Sequence, residues 1–228
     1  MNVFLERDRK MAKKYNTEET IKLILDTATR LFTEKGYEKT TIQDIVNELD
    51  GLSRGAIYHH FPSKEAIVDG VIKRLLPEKK YIEAISNRQD LNGLEKIQHL
   101  FLETLFNEEV GASFSLTYSL FNNPKFFMMY MMNCNEFIAP QVEVYLNEGN
   151  QDGSLNIQYP KQIGEIVVLL LSTWFIVSLY PNTVETFWEK LGASKYVLDG
   201  IGLPILSDDL IENIKKIMIE KEGAHENN

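Results

Sequence analysis

The chain has 228 residues, 44% hydrophobic and 25% charged, which is the balance of a soluble globular protein with one or two domains. Its single cysteine, Cys134, excludes an internal disulfide and a cysteine-rich zinc site, and it fits a reducing compartment such as the cytoplasm. The net charge of −9 is unusual for a nucleic-acid binder. Residues 1–76 carry +1 and the remainder −10, so any positive surface must be local.

The chain opens with a basic, polar tail, residues 1–16, which lacks the apolar segment of a signal peptide. A second methionine, Met11, begins the stretch MAKKYNTEET and is an alternative start of the protein. Whether residues 1–10 belong to the native start therefore stays open. Residues 17–35 then place apolar side chains at helical spacing on one face. This pattern predicts a first helix, with Thr17 as its N-cap and Gly36 directly after its end.

Three shorter helices are predicted next, over residues 41–49, 53–60 and 63–76. Thr41 with Asp44 resembles a capping pair, and Ser53 and Ser63 stand where N-caps are expected. Helix, tight glycine turn and helix is the sequence form of a helix-turn-helix, here over about residues 41–61. The sequence therefore predicts a DNA-binding domain over residues 17–76.

The rest of the chain also has helical periodicity, without an alternating strand pattern of useful length. Helices are predicted over residues 94–107, 113–121, 124–147, 161–180, 183–197 and 207–222, with the clearest loop at 147–160. The longest apolar run, residues 166–180, falls short of the roughly 20 residues of a membrane span. We expect an all-α protein with an N-terminal three-helix helix-turn-helix domain, a C-terminal helical bundle domain over 77–222 and a frayed end over 223–228.

The third helix carries the side chains that point to DNA. At 100° per residue, Ile57 and Phe61 fall together toward the core, whereas Arg54, Gly55, Tyr58 and His59 fall on other sides. A recognition helix enters the major groove with its N-terminal residues toward the base edges, where arginine can pair bidentately with guanine. Tyr58, His60 and Lys64 carry donors that can reach phosphates.

Residues 40–45, TTIQDI, and 51–65, GLSRGAIYHHFPSKE, resemble the DNA-binding domain of the TetR family of bacterial transcriptional repressors. The resemblance covers about residues 17–76. It implies base-reading positions for Arg54 and Gly55, phosphate contacts for Tyr58, His60 and Lys64, and a cap near the DNA backbone for Thr41. The predicted DNA-binding residues are Thr41, Ser53, Arg54, Gly55, Tyr58, His59, His60 and Lys64. The turn is one residue longer than is usual in the family, most simply through Asp50.

The resemblance also implies a homodimer, a palindromic double-stranded operator and an inducer pocket in the C-terminal helices. An apolar stripe in the predicted helix 161–180 is consistent with a dimer interface. The residues predicted to form this dimer interface are Ile163, Val167, Leu170, Leu171 and Trp174. A cluster rich in Met and aromatic residues is either a pocket for a small apolar or aromatic ligand or a tightly packed core. The candidate ligand-binding residues are Phe114, Tyr118, Phe121, Met128, Met132 and Trp174.

Catalysis and metal binding are not supported by any pattern. Adjacent His59 and His60 point about 100° apart on a helix and lack a further ligand at the spacing a metal site needs. There is no nucleophile–base set and no phosphate-binding loop, so we predict neither an enzyme nor a bound metal or cofactor. The predicted function is sequence-specific transcriptional regulation, most simply repression relieved by a small ligand. A regulator controlled by a protein partner, and a ligand-binding or adaptor protein that has lost DNA binding, remain the alternatives.

Overall fold

The computed structural model describes residues 16–49, 51–176, 180 and 183–225, the last seven of these by their backbone alone. Within these ranges the secondary structure is helical and contains no β-strand, which confirms the all-α prediction. In chain order the α-helices are α1 (Thr17–Lys35), α2 (Ile42–Glu48), α3 (Arg54–His60), α4 (Lys64–Lys73), α5 (Lys79–Ser86), α6 (Gly93–Phe106), α7 (Glu108–Thr117), α8 (Pro124–Asn133), α9 (Ala139–Asp152), α10 (Pro160–Leu171), α11 (Val184–Gly200) and α12 (Asp208–His225). Short 3₁₀ or π turns occupy Tyr118–Asn122, Cys134–Ile138 and Thr173–Phe175.

The chain divides into two compact units that differ from the predicted domains. The first unit joins Met1–Glu78 with Phe106–Asn133, and the second joins Lys79–Leu105 with Cys134–Asn228. This division groups α7 and α8 with the first unit, whereas the predicted boundary after residue 76 places them in the C-terminal domain. Their long-range partners explain the grouping, because α8 bonds to α4 through Asn133, whose Nδ2 donates to Oδ1 of Asp69 at 3.1 Å.

The first unit is built on a core shared by α1 to α4. Apolar side chains that are almost fully buried include Ile24, Ala28, Phe32, Ile45, Ile57, Ile67 and Ile72. Burial of side chains of this size supplies the main favourable free energy for holding the short helices α2 and α3, which are marginal alone. The core therefore fixes the inner face of α3 and leaves its outer face in solvent.

Local capping decides where these helices begin. The hydroxyls of Thr41, Ser53 and Ser63 each accept from the backbone N–H three residues on, which confirms the three predicted caps. Thr17 is not the cap of α1, contrary to the prediction. Asn16 is, because its side chain accepts from the N–H of Glu19 while the Glu19 carboxylate accepts from the N–H of Asn16. Asp50, the predicted extra turn residue, lies outside the described residues.

The second unit is held together by a buried polar network that the sequence did not reveal. Lys96 is buried on α6, and its Nζ donates to Oε2 of Glu148 at 2.7 Å and to the carbonyl of Ser86 at 3.2 Å. The hydroxyls of Ser86 and Tyr145 lie 2.8 Å apart. These bonds tie together α5, α6 and α9, and α5 itself was missed in the sequence.

Several predicted boundaries are corrected by the structure. Helix 113–121 is instead α7 followed by a 3₁₀ turn, and helix 124–147 is interrupted by the π turn and then continues to Asp152, where Gly153 has a φ of 83°. The predicted helix 161–180 stops at Leu171. Ser172 ends it, with its Oγ donating to the carbonyl of Val168 at 2.6 Å. Helix α12 runs to His225, into the predicted frayed end.

Candidate nucleic-acid interface

Helix α3 presents a short, solvent-facing surface. Ser53 caps it, Ile57 is fully buried and anchors it, and Arg54, Gly55, Tyr58 and His59 are exposed, as helical geometry predicts. Thr41 is exposed at the start of α2. The structure therefore brings together the residues at the N-terminal half of α3 on one accessible face.

Arg54 and Tyr58 form a pair on this face. Nη2 of Arg54 donates to the Tyr58 hydroxyl at 3.3 Å, and the guanidinium carbon lies 5.5 Å from the Tyr58 ring centroid. The hydroxyl accepts in this bond, so its own hydrogen stays available to a phosphate oxygen. Stacking on the ring also limits the rotamers that Arg54 explores before it meets a partner.

Among the residues that the structure describes, none packs closely against Gly55. A Cβ at this position would meet nothing closer than Oγ of Ser53, 3.7 Å away. Glycine within a helix costs stability relative to alanine, so a neutral packing environment favours its replacement. The physical reason that remains for a glycine here is that the helix backbone must come close to a binding partner.

Lys64, at the start of α4, folds back on the protein. Its Nζ lies 4.1 Å from the ring centroid of Tyr37 and donates to the carbonyl of Glu38 at 3.4 Å. Burial lowers the pKa of Lys64 from its ordinary value. The ammonium thus sits at the edge of the unit beside the loop that joins α1 to α2.

A second lysine shares the ring of Tyr37. Nζ of Lys125 is 5.1 Å from the Tyr37 ring centroid and 2.9 Å from Oε1 of Glu65, which also accepts from the Tyr37 hydroxyl at 3.1 Å. The hydrogen bond from Lys125 is the main reason that the pKa of Glu65 falls to about 2. The same contacts raise the pKa of Lys125, led by its hydrogen bond with Tyr37. This cluster joins α8 to α4 directly beside Lys64.

His59 and His60 end α3 with their ring centroids 5.2 Å apart. Burial, followed by the neighbouring charge of His59, lowers the pKa of His60 from its ordinary 6.5. His60 is therefore mainly neutral at pH 7, when it offers one N–H donor rather than a full positive charge. In the described part of the chain, no three His, Cys, Asp or Glu side chains are grouped to hold a metal ion.

The six candidate ligand residues have different surroundings in the structure. Phe114 and Phe121 stack with ring centroids 5.7 Å apart and pack against Tyr130. Tyr118, Met128 and Met132 are exposed, the two methionines by 58% and 62%. Trp174 belongs to the second unit and contacts Phe175.

The candidate dimer residues are only partly accessible. Val167 is buried within its own unit, and Ile163, Leu170, Leu171 and Trp174 are half-buried. The exposed apolar residues of α10 are instead Ile166 and Leu169. Helix α11 exposes Tyr196 and Val197, and Ile201 directly after it is also exposed; the sequence reasoning did not single out these residues.

An open cavity of about 300 Å³ lies within the first unit. Val71, Leu116 and the threonines of α1 and α7 line it, together with charged side chains that include Asp26 and Arg74. None of the six candidate ligand residues lines it. Among helices in the described ranges, none has the length and apolar character needed to cross a bilayer.

Helix α3 follows α2 across a tight turn, and its exposed start carries Arg54 and Gly55. A pair of helices in this arrangement defines a helix-turn-helix DNA-binding protein. A sequence profile described as bacterial regulatory proteins, tetR family, matches residues 24–71. This range includes α2, the turn, α3 and most of α4.

Relatives match over much more of the chain. Over 194 residues it is 39% identical to the HTH-type transcriptional repressor KstR2 of Rhodococcus jostii (strain RHA1), covering 79% of this chain and 90% of that protein. It is 23% identical to IcaR of Staphylococcus aureus (strain Newman), the biofilm operon icaADBC HTH-type negative transcriptional regulator, over 75% of this chain and 86% of that protein.

A solved structure shares the fold. The TetR-family transcriptional regulator from Syntrophomonas wolfei str. Goettingen superposes with a TM-score of 0.59 at 20% identity, covering 84% of this chain and 100% of that one. The protein belongs to the TetR family of bacterial regulatory proteins. It is accordingly a DNA-binding transcriptional regulator and not an enzyme, as the sequence predicted.

Proposed function

We propose that the protein is a repressor that occupies a palindromic operator as a homodimer and is released by a small apolar or aromatic ligand. The observation that carries the proposal is the outer face of α3, where Arg54 and Tyr58 form a pair beside a glycine that the fold does not need. Two relatives are named as a repressor and a negative regulator, which supports repression over activation. The protein would act in the cytoplasm, where the bacterial chromosome lies.

On the operator, Arg54 reads a guanine in the major groove while Gly55 lets the helix backbone approach the base edges. Tyr58, His60 and Lys64 contact phosphates on either side and fix the orientation of α3. Thr41 and Ser53 hold the starts of α2 and α3 in the required geometry. His59 is exposed at the far end of α3, where it can reach the backbone.

The test is selection of tight-binding duplexes from a randomised pool, with affinity then measured at several salt concentrations. We expect a palindromic winner whose affinity falls steeply with salt, because each phosphate contact releases a counterion. A failure to enrich any sequence, with weak binding throughout, would contradict the proposal and favour an adaptor that has lost DNA binding. The half-site spacing of the winner measures the effect of the longer turn.

The homodimer is supported by the exposed surface of α11. Tyr196 is 82% exposed, and a Cβ at Gly192 or Gly200 would meet nothing within 4 Å, so a second helix can approach closely. We expect Tyr196→Glu to give a monomer by light scattering and to weaken operator binding. Tyr159→Glu is the matched control, because Tyr159 is also highly exposed but lies before α10. If light scattering shows that both variants remain dimers like the wild type, this interface is contradicted.

The ligand releases the operator because it binds more tightly to the conformation of the dimer in which the two α3 helices do not match the spacing of the two half-sites. The exposed Met128 and Met132 support an adaptable apolar contact, whereas Phe114 and Phe121 pack against each other. The test is displacement of a fluorescent operator by a library of uncharged aromatic compounds. Displacement that Met132→Glu abolishes supports this site. Displacement by a second protein alone would point to control by a protein partner.

A further inference from the structure

The lysines and arginines of residues 17–76 fall into two groups. Residues 17–76 contain eight of them, and five have a carboxylate within 4.0 Å. These five are Lys22, Arg30, Lys35, Lys73 and Arg74, paired respectively with Asp26, Glu34, Asp44, Asp69 and Asp26. Their positive charge is thus largely neutralised by the protein itself.

The other group consists of Lys39, Arg54 and Lys64. Within the part of the chain that the structure describes, no carboxylate lies within 4.0 Å of any of these three side chains. Arg54 and Lys64 are already assigned to the DNA contact by the proposed function. The third member, Lys39, was not singled out by the sequence motif, because it lies directly before the motif stretch 40–45.

Lys39 lies on a rigid part of the loop between α1 and α2. On one side, the carbonyl of Glu38 accepts from Nζ of Lys64. On the other, Thr40 is buried, and its hydroxyl donates to the carbonyls of Leu31 and Gly36 at 3.1 and 2.9 Å. The Lys39 side chain itself is exposed. The loop therefore holds an uncompensated lysine between the contact of Lys64 and the capping residue Thr41.

We propose that Lys39 is a further phosphate-binding residue, which extends the contact of Lys64 along the DNA backbone. The inference rests on the proposed function and adds one contact per protomer to it. An acidic protein gains affinity for DNA mainly where cations are not paired internally. Among the three unpaired cations of residues 17–76, Lys39 is the one without an assigned role.

The test compares three variants on the selected operator and on an unrelated duplex. Lys39→Ala removes the cation, and Lys39→Arg keeps it. Lys22→Ala is the matched control, because it removes the same charge from an exposed lysine that pairs with Asp26. Affinity is measured from about 0.05 to 0.3 M salt, and thermal unfolding confirms that each variant is folded.

We expect Lys39→Ala to lower affinity for both duplexes by roughly eightfold per protomer at about 0.1 M salt, and to reduce the salt slope by about one per protomer. Lys39→Arg and Lys22→Ala should retain the wild-type slope. If Lys39→Ala matches Lys22→Ala while the wild type binds steeply, the inference is wrong and the proposed function stands. If the wild type itself shows no salt-dependent binding, the proposed function fails first and the inference with it.

Discussion

Arg54 and Tyr58 are one helical turn apart on α3, and the tyrosine hydroxyl accepts a hydrogen bond from the guanidinium at 3.3 Å. Side chains four residues apart on a helix are neighbours, so this contact needs no other element to maintain it. It couples a predicted base-reading side chain to a predicted phosphate-binding one. Movement of either side chain on DNA therefore alters the position of the other.

Arg54→Ala should weaken operator binding by about 1–3 kcal/mol and relax specificity at one base pair, because a bidentate contact to guanine is lost. Affinities for the operator and for its single-base variants give the result. Arg88→Ala is the control, since Arg88 is an exposed arginine of the second unit that pairs with Asp90. Equal weakening on every sequence would contradict base reading by Arg54.

Gly55→Ala should leave the fold intact, or stabilise it by about 0.5–1 kcal/mol, while weakening operator binding. The methyl group has room in the free protein but would separate the helix backbone from the base edges. Gly111→Ala on α7 is the matched control, because a Cβ there meets nothing within 4 Å and the position is likewise helical. Unfolding curves and operator affinity for both variants test the prediction, and unchanged DNA binding in Gly55→Ala would count against it.

Lys64→Ala should weaken binding to all duplexes alike and reduce the salt slope by about one per protomer, because a phosphate contact carries no sequence information. The contact of Lys64 with Tyr37 must loosen when the ammonium turns to DNA. Lys79→Ala is the control, since this exposed lysine pairs with Glu83 in the second unit. A loss of affinity confined to the operator would indicate a different role for Lys64.

Operator binding should tighten as the pH falls from about 8 to about 6, through proton uptake by His60. The free protein lowers the pKa of His60, mainly by burial, so folding favours its neutral form. A phosphate beside the ring favours the charged form and raises that pKa, so the complex binds more protons than its parts. Affinity measured across this range should lose most of its pH dependence in His60→Gln. If His60→Gln keeps the wild-type pH dependence of operator affinity, His60 does not contact a phosphate.

Gly93→Ala should destabilise the second unit by about 1–3 kcal/mol or more, because α6 and α9 pack too closely for a methyl group. A Cβ at Gly93 would lie 2.1 Å from the amide nitrogen of Gly149 and 2.4 Å from the carbonyl oxygen of Tyr145. Urea unfolding measures the loss. Wild-type stability in Gly93→Ala would show that the two helices can separate at little cost.

Local chemistry was the predictable part of the fold. The caps at Thr41, Ser53 and Ser63 depend on an N–H only three residues away, and the outward positions of Arg54 and Gly55 follow from helical geometry. Asn16 and Thr17 are both able to cap. The choice falls on Asn16, because Glu19 stands at the third position of that helix and completes a reciprocal pair.

Distant contacts were not predictable. Ser86, the last residue of α5, meets Tyr145, 59 residues away, and no sequence signal links the two. Every position of α10 from residue 166 to 171 is apolar, so periodicity did not distinguish buried Val167 from exposed Ile166. The aromatic cluster was open between pocket and core for the same reason, and only packing shows Phe114 stacked on Phe121.

The internal pairing of Lys22, Arg30, Lys35, Lys73 and Arg74 also bears on how the protein finds its site. Cations that are paired with carboxylates contribute little to the attraction between the protein and non-operator DNA. The chromosome offers millions of such overlapping sites, which compete with the operator for the protein. Short stays on those sites shift the search toward diffusion between DNA segments and away from long sliding.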